Sequence, residues 1–195
     1  MEMMPTTKFF VGLLCINYIY TNRTFHTIYN MTNKFDQLTP PDIAKRLLTD
    51  VDFKQYDVLF EPCRGDGAFY DNFPSDLPKH FCEIKEGKDL FKHTPESQFY
   101  TKCITNPPYK MSTEWGDLNI CIKFIEKCMD ITRDECWFLL NGTMFSSLTP
   151  MRLHRYEEKG WKLCFIRIVN ITKWYGRYYW ICFSKQKDAI IKHSI

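Results

Sequence analysis

The stretch ITNPPYK, residues 104–110, closes an apolar run with a carboxamide, two prolines and a tyrosine. Asn106 Oδ1 and the Pro107 carbonyl are hydrogen-bond acceptors, the prolines stiffen the backbone that carries them, and Tyr109 adds an aromatic face. Pro-Pro after a strand is also a common way to stop a ladder, so the quartet gains meaning only from its surroundings. EPCRGDGAF (61–69) sets Glu61 ahead of a turn containing Gly65 and Gly67, where backbone N–H groups can approach a ligand closely. The third glycine of the dinucleotide fingerprint is missing and an acid before the turn repels a pyrophosphate, so a ligand with positive charge fits better. CEIKEGKDLF (82–91) places Glu83 about 20 residues on, the spacing at which a carboxylate accepts hydrogen bonds from ribose hydroxyls in α/β nucleoside sites. Asp89, Leu90 and Phe91 follow with an acceptor and an apolar wall suited to an adenine amino group and ring.

The elements that must position these residues alternate between strand and helix patterns. LTPPDIAKRLL (38–48) opens a helix, with Thr39 as N-cap, Pro40 in the first helical position and Asp42 favouring its N-terminus. YDVLFEPC (56–63), HFCEI (80–84), YTKCIT (100–105) and ECWFLLN (135–141) read as strands. GDLNICIKFIEKCMD (116–130) sets Leu118, Cys121, Ile122, Ile125, Cys128 and Met129 on one helical face. PMRLHRYEEKG (150–160) is a short helix, and CFIRIVNI (164–171) with YYWICFSK (178–185) form a closing antiparallel hairpin. Such alternation implies a mainly parallel sheet covered on both faces, whose ligands bind at the C-terminal ends of the strands.

With 195 residues, 45% of them hydrophobic and 16% aromatic, the chain is one globular domain rather than a disordered one. Nine scattered cysteines, without any C-x-x-C pair, favour a reducing intracellular compartment, cytoplasmic or nuclear, over disulfides or zinc. The five histidines show no ligand spacing, so no metal is expected. The net charge of +3 hides an asymmetry: residues 1–140 carry 16 Lys+Arg against 20 Asp+Glu, and residues 141–195 carry 10 against 3. A basic C-terminal part suits a polyanionic partner. FFVGLLCINYIY (9–20) is shorter than the roughly 20 residues of a membrane helix, so no membrane partner is expected. Residues 1–30 read as an appendage, with the domain running over 31–195.

LTPP, EPCRGDGAF, CEI, DLF and NPPY, in that order, resemble the motifs of S-adenosylmethionine-dependent amino-methyltransferases. The likeness is greatest to N6-adenine DNA methyltransferases whose cofactor motif precedes the catalytic one. It covers about residues 36–186, with Asn106 placed 45 residues after Glu61. The resemblance implies a Rossmann-like class I α/β fold: a mainly parallel seven-stranded sheet with a C-terminal antiparallel hairpin and helices on both faces. It implies S-adenosyl-L-methionine as cofactor, with Glu61 near the methionine amine, Cys63, Gly65 and Gly67 passing close to the cofactor, Glu83 at the ribose, Asp89 and Leu90 at the adenine, and Thr39 and Pro40 closing over the methionine end. Asn106, Pro107, Pro108 and Tyr109 take the catalytic place.

The chemistry accounts for the quartet. A purine's exocyclic amine donates its lone pair into the ring and is a poor nucleophile until that conjugation weakens. Acceptors at Asn106 Oδ1 and the Pro107 carbonyl can each take one amino hydrogen, favouring a pyramidal nitrogen, while Tyr109 stacks on the base. A base within a duplex must flip out to reach such a pocket. Only about 85 residues follow NPPY, and the core strands use most of them, which leaves no room for the large target-recognition region of site-specific enzymes. Specificity is then low, or supplied by a partner protein, or carried by Arg152, Arg155, Lys162, Arg167, Lys173 and Arg177; Trp174 and Tyr175 either stack on a base or pack the hairpin. Methylation of adenine N6 or guanine N2 in RNA, and a catalytically silent cofactor-binding subunit, are the competing readings.

Overall fold

A computed structural model describes residues 38–96, 98–109, 118–172 and 174–190, with the backbone alone at 118 and 119. The appendage expected over residues 1–30, its apolar run and Lys173 lie outside the described residues. Helix α1 (Pro41–Leu48) leads into β1 (Leu59–Glu61), β2 (Lys79–Phe81) and β3 (Tyr100–Thr105). Helix α2 (Leu118–Ile131), β4 (Thr132–Asn141), α3 (Gly142–Ser146), α4 (Pro150–Glu158), β5 (Lys162–Val169) and β6 (Tyr178–Ser184) complete the chain. One sheet has the order β2-β1-β3-β4-β6-β5. The pairs among β1, β2, β3 and β4 are parallel, and β6 runs antiparallel to both β4 and β5.

Strict alternation along the strands builds two cores. Cys136, Phe138 and Leu140 of β4, with Ile181 and Phe183 of β6, pack against α2 and α4. Trp137, Leu139, Trp180 and Cys182 face the other way, onto α1 and the segment carrying Phe69, Phe73 and Leu77. A strand covered on both faces reads as a continuous apolar run, which is why ECWFLLN and YYWICF carry almost no polar residue.

The described sheet has six strands where seven were expected. The stretch HTPESQF (93–99) between β2 and β3 has too few apolar residues to bury, and Pro95 removes a ladder donor. Phe69 begins only a 3₁₀ turn, Tyr70–Asn72, because Pro74 and Pro78 interrupt any continuation of a helix before β2. At α1 the N-cap is Pro40 rather than Thr39, and Pro41 holds the first helical position. A residue that precedes proline is pushed out of the α region, and Pro40 is accordingly extended, at φ −60° and ψ 136°. Thr39 is thereby released from capping.

Candidate active site

The C-terminal ends of β1 and β3, and the turn after β2, converge. β1 delivers Glu61, which is buried and accepts a hydrogen bond from the Tyr70 N–H at 2.7 Å. Burial pushes the Glu61 carboxyl well above the usual carboxylate range, against the Tyr70 hydrogen bond and the Arg64 guanidinium; Asp71 and Glu83 add to the rise. The turn that follows needs glycine twice, at Gly65 (φ +54°) and Gly67 (φ +86°). A Cβ on Gly65 would stand 3.2 Å from the Leu38 side chain, and one on Gly67 only 2.7 Å from Asp71 Oδ2.

Glu83 sits two residues beyond β2, nearly buried, at the head of a 3₁₀ turn. Its Oε2 accepts from the Gly65 N–H at 2.7 Å and its Oε1 from the Lys85 N–H at 3.0 Å. The glycine turn and the second strand end are thus tied through one carboxylate, and each of its oxygens keeps a further acceptor lone pair. Asp89 opens another 3₁₀ turn by accepting from the Phe91 N–H at 2.9 Å, and this buries Leu90 beneath it.

The NPPY loop is held from three sides. Asn106 Nδ2 donates to Thr39 Oγ1 at 3.0 Å, so the nitrogen end of the amide is fixed by the chain entering α1. The Cys63 thiol donates to the Asn106 carbonyl at 3.1 Å, linking the loop to the glycine turn. The Cys121 thiol of α2 reaches the Pro108 carbonyl at 3.4 Å. The Tyr109 hydroxyl donates to the Leu139 carbonyl of β4 at 2.8 Å, and burial pushes its phenol well above the ordinary value. The Tyr109 ring is half-buried, 6.1 Å from that of Tyr178. Cys121 was legible only as a residue of the buried helix face, and its contact with the loop had no sequence signal.

The basic residues are dispersed. The Arg152 guanidinium donates to the Ser147 carbonyl, and Arg167 pairs with Asp50 at 2.7 Å. Lys162 lies 3.2 Å from Asp188. Arg155 and Arg177 are exposed. Trp174 packs on Tyr178 at 4.9 Å, as hairpin packing requires, while its neighbour Tyr175 is fully exposed. Among the described residues no cluster of His, Cys, Asp or Glu could hold a metal, and no helix is long and apolar enough to cross a membrane.

No protein-family model matches the chain, and no curated protein matches it in sequence. Solved structures share its fold. A protein described as a class I S-adenosylmethionine-dependent methyltransferase from Listeria monocytogenes aligns at 17% identity and TM-score 0.55, over 81% of this chain and 63% of its own. One described as an RNA methyltransferase from Pyrococcus horikoshii aligns at 14% and 0.53, over 82% and 88%. One described as the modification subunit of a type I restriction enzyme from Vibrio vulnificus aligns at 13% and 0.56, over 91% and 50%. The chain therefore spans under two thirds of the Listeria protein and half of the Vibrio subunit. The Rossmann-like class I methyltransferase fold is the common element.

Proposed function

We propose that the protein transfers a methyl group from S-adenosyl-L-methionine to the N6 amino nitrogen of adenine in nucleic acid, with DNA as the preferred substrate. The observation that carries this reading is the joining of the NPPY loop to Thr39 on one side and to Cys63 of the glycine turn on the other. That joining brings amine-binding acceptors beside the residues suited to a nucleoside bearing a cation. The residues fit that group: a buried carboxylate at Glu61 for an ammonium, acceptor capacity at Glu83 for ribose hydroxyls, and Asp89 with Leu90 for an adenine edge and ring. When bound, S-adenosyl-L-methionine supplies an electrophilic methyl on its sulfonium sulfur.

Asn106 Oδ1 and the Pro107 carbonyl each accept a hydrogen bond from one of the two amino hydrogens of the target and draw its lone pair out of conjugation. Pro107 and Pro108 keep those acceptors fixed, and the half-buried ring of Tyr109 supplies the stacking face. Among the described residues the eight cysteines are free thiols, which supports a reducing compartment. RNA adenine is the second reading, because the fold is shared with the protein described as an RNA methyltransferase. Labelled S-adenosylmethionine offered with duplex DNA, single-stranded DNA, RNA and a protein extract, followed by nucleoside analysis, tests both. Label in N6-methyladenine of DNA supports the proposal, label in RNA moves it to the second reading, and label only in protein overturns it.

Thr39 acts here as a positioning residue. Thr39→Val keeps the shape and removes the oxygen that holds Asn106 Nδ2, so kcat is expected to fall about ten- to hundredfold. Because valine keeps the packing expected over the methionine end, S-adenosylhomocysteine affinity and KM should change far less than kcat, a split that steady-state kinetics and calorimetry resolve.

Glu61 sets a pH dependence. In the free protein its raised pKa favours the protonated carboxyl, so its contribution to stability is present below the unfolded carboxylate pKa and fades as pH rises through the raised value. A ligand ammonium prefers the ionised form. S-adenosylhomocysteine affinity is therefore expected to strengthen as pH rises through that value and to level off above it, with proton release on binding below it. Calorimetry in two buffers of different ionisation enthalpy counts the proton. Glu61→Gln should weaken binding and flatten the profile.

A further inference from the structure

We propose that the β5–β6 connection is the contact for nucleotides flanking the target, with Tyr175 stacking on a neighbouring base and Arg177 meeting a phosphate. The inference rests on the nucleic-acid reading above and extends it to residues outside the cofactor and NPPY loops. Its first support is place. β4 is parallel to β3, with Thr105 opposite Phe138, and Asn141 at the end of β4 pairs with Tyr178. The connection thus leaves the same sheet edge as Asn106, about 7 Å further along the strands and two strand spacings, about 10 Å, across. A target base seated on the NPPY loop would bring its flanking nucleotides over this loop.

The second support is construction. Two hydrogen bonds tie described residues of the loop while the Tyr175 side chain stands in solvent: the Trp174 N–H donates to the Ile171 carbonyl at 2.9 Å, and the Tyr178 hydroxyl donates to the Tyr175 carbonyl at 3.1 Å. Trp174 packs on buried Tyr178, which in turn neighbours Tyr109, so an aromatic series runs from the catalytic loop to the hairpin tip. Gly176 turns the chain at φ +104°, where a side chain would be strained, although a Cβ there would meet nothing within 4 Å. The Arg177 carbonyl lies 3.8 Å from where a Cβ on Gly142 would stand, which seats the returning leg against the start of α3. A fully exposed tyrosine whose carbonyl is held by the buried Tyr178 matches a preformed stacking platform, because less further ordering is needed when a base arrives.

Aromatic and arginine side chains also anchor protein interfaces. Nucleic acid is favoured because the loop over 170–177 carries the exposed Arg177 and no acidic residue, and because it borders the candidate site.

The test uses the full chain and a fluorescein-labelled, adenine-containing single-stranded oligonucleotide, read by anisotropy, with methyl transfer to the same oligonucleotide measured in parallel. Tyr175→Ala is expected to weaken binding about five- to hundredfold and to raise KM by a similar factor, with kcat within about twofold and Tyr175→Phe close to wild type. Arg177→Gln should weaken binding and reduce the salt slope by about one phosphate contact. Gly176→Ala should weaken binding without removing any contacting group. Wild-type transfer with an unchanged Tyr175→Ala variant overturns the inference and leaves the methyltransferase reading standing. Equal losses in Tyr175→Ala and Tyr175→Phe, with lowered melting temperatures, overturn it as structural damage. A wild-type chain that labels only protein and binds no oligonucleotide overturns both.

Discussion

Asn106→Ala is expected to reduce methyl transfer about a hundred- to a thousandfold, the scale of removing one pre-positioned polar group from a reacting centre. The side chain lies at the end of β3, where its amide nitrogen donates to Thr39 Oγ1. Its oxygen is the acceptor assigned to the target amine. Truncation removes that acceptor without touching Glu61, Gly65 or Glu83, whose bonds, from the Tyr70 N–H to Glu61 and from the Gly65 N–H to Glu83, do not pass through Asn106. S-adenosylhomocysteine affinity should therefore stay near wild type. Asn106→Asp separates the two roles, because it keeps an acceptor for the amine and loses the donor to Thr39; its loss should be the smaller at neutral pH. Single-turnover methylation beside calorimetric titration decides the matter. Parallel loss of transfer and binding would place Asn106 in the cofactor pocket, and unchanged transfer would remove the NPPY loop from the chemistry altogether.

Much of the architecture was legible because both-face burial leaves a strong local imprint. ECWFLLN and YYWICF are apolar at nearly every position, and the structure sends alternate residues of each into the two cores. What sequence left open is what depends on partners far along the chain. Whether Thr39 caps α1 turns on which of two adjacent prolines enters the helix. No α-helix follows Gly67 because Pro74 and Pro78 leave too few residues for one, so the crossover from β1 to β2 is made by a 3₁₀ turn and loop. The seventh strand came from the resemblance, not from any apolar run between Phe91 and Tyr100.

The site divides in the same way. Glu61, the glycines and Glu83 were readable because each falls at a strand end with a local pattern around it. Their joining was not: Thr39 and Asn106 are 67 residues apart, and Cys63 and Asn106 are 43 apart. Charge was the least informative signal. Arg167 and Lys162 are bound to Asp50 and Asp188, and Arg152 serves the Ser147 carbonyl, so a basic count overstates what faces a polyanion.

The largest stability effect is expected at Lys102, which sequence reading passed over as one residue of a strand. It is nearly buried in β3, with Nζ 3.4 Å from Asp57 Oδ2 and 3.5 Å from Glu135 Oε2. Asp57 also accepts from the Lys54 N–H and the Thr101 hydroxyl, and Glu135 from Trp137 Nε1, with Lys187 at 2.6 Å. Burial alone would raise the Glu135 carboxyl, but bonds from Lys187 and Trp137, with the Lys102 charge, hold it below its ordinary value. A group depressed in this way contributes stability above its unfolded pKa and loses it as pH falls through the folded value. Lys102→Met keeps the stem and removes the charge, leaving two buried carboxylates whose shared cation is gone. The expected cost at pH 7 is about 3–5 kcal/mol, with the deficit shrinking in acid as Glu135 takes up a proton. Adding Asp57→Asn should recover part of it, because one stranded charge is then removed. Urea unfolding of the single and double variants at pH 7 and pH 5 measures each step. A deficit that does not shrink in acid would mean that Lys102 acts through the packing of its stem rather than through its charge.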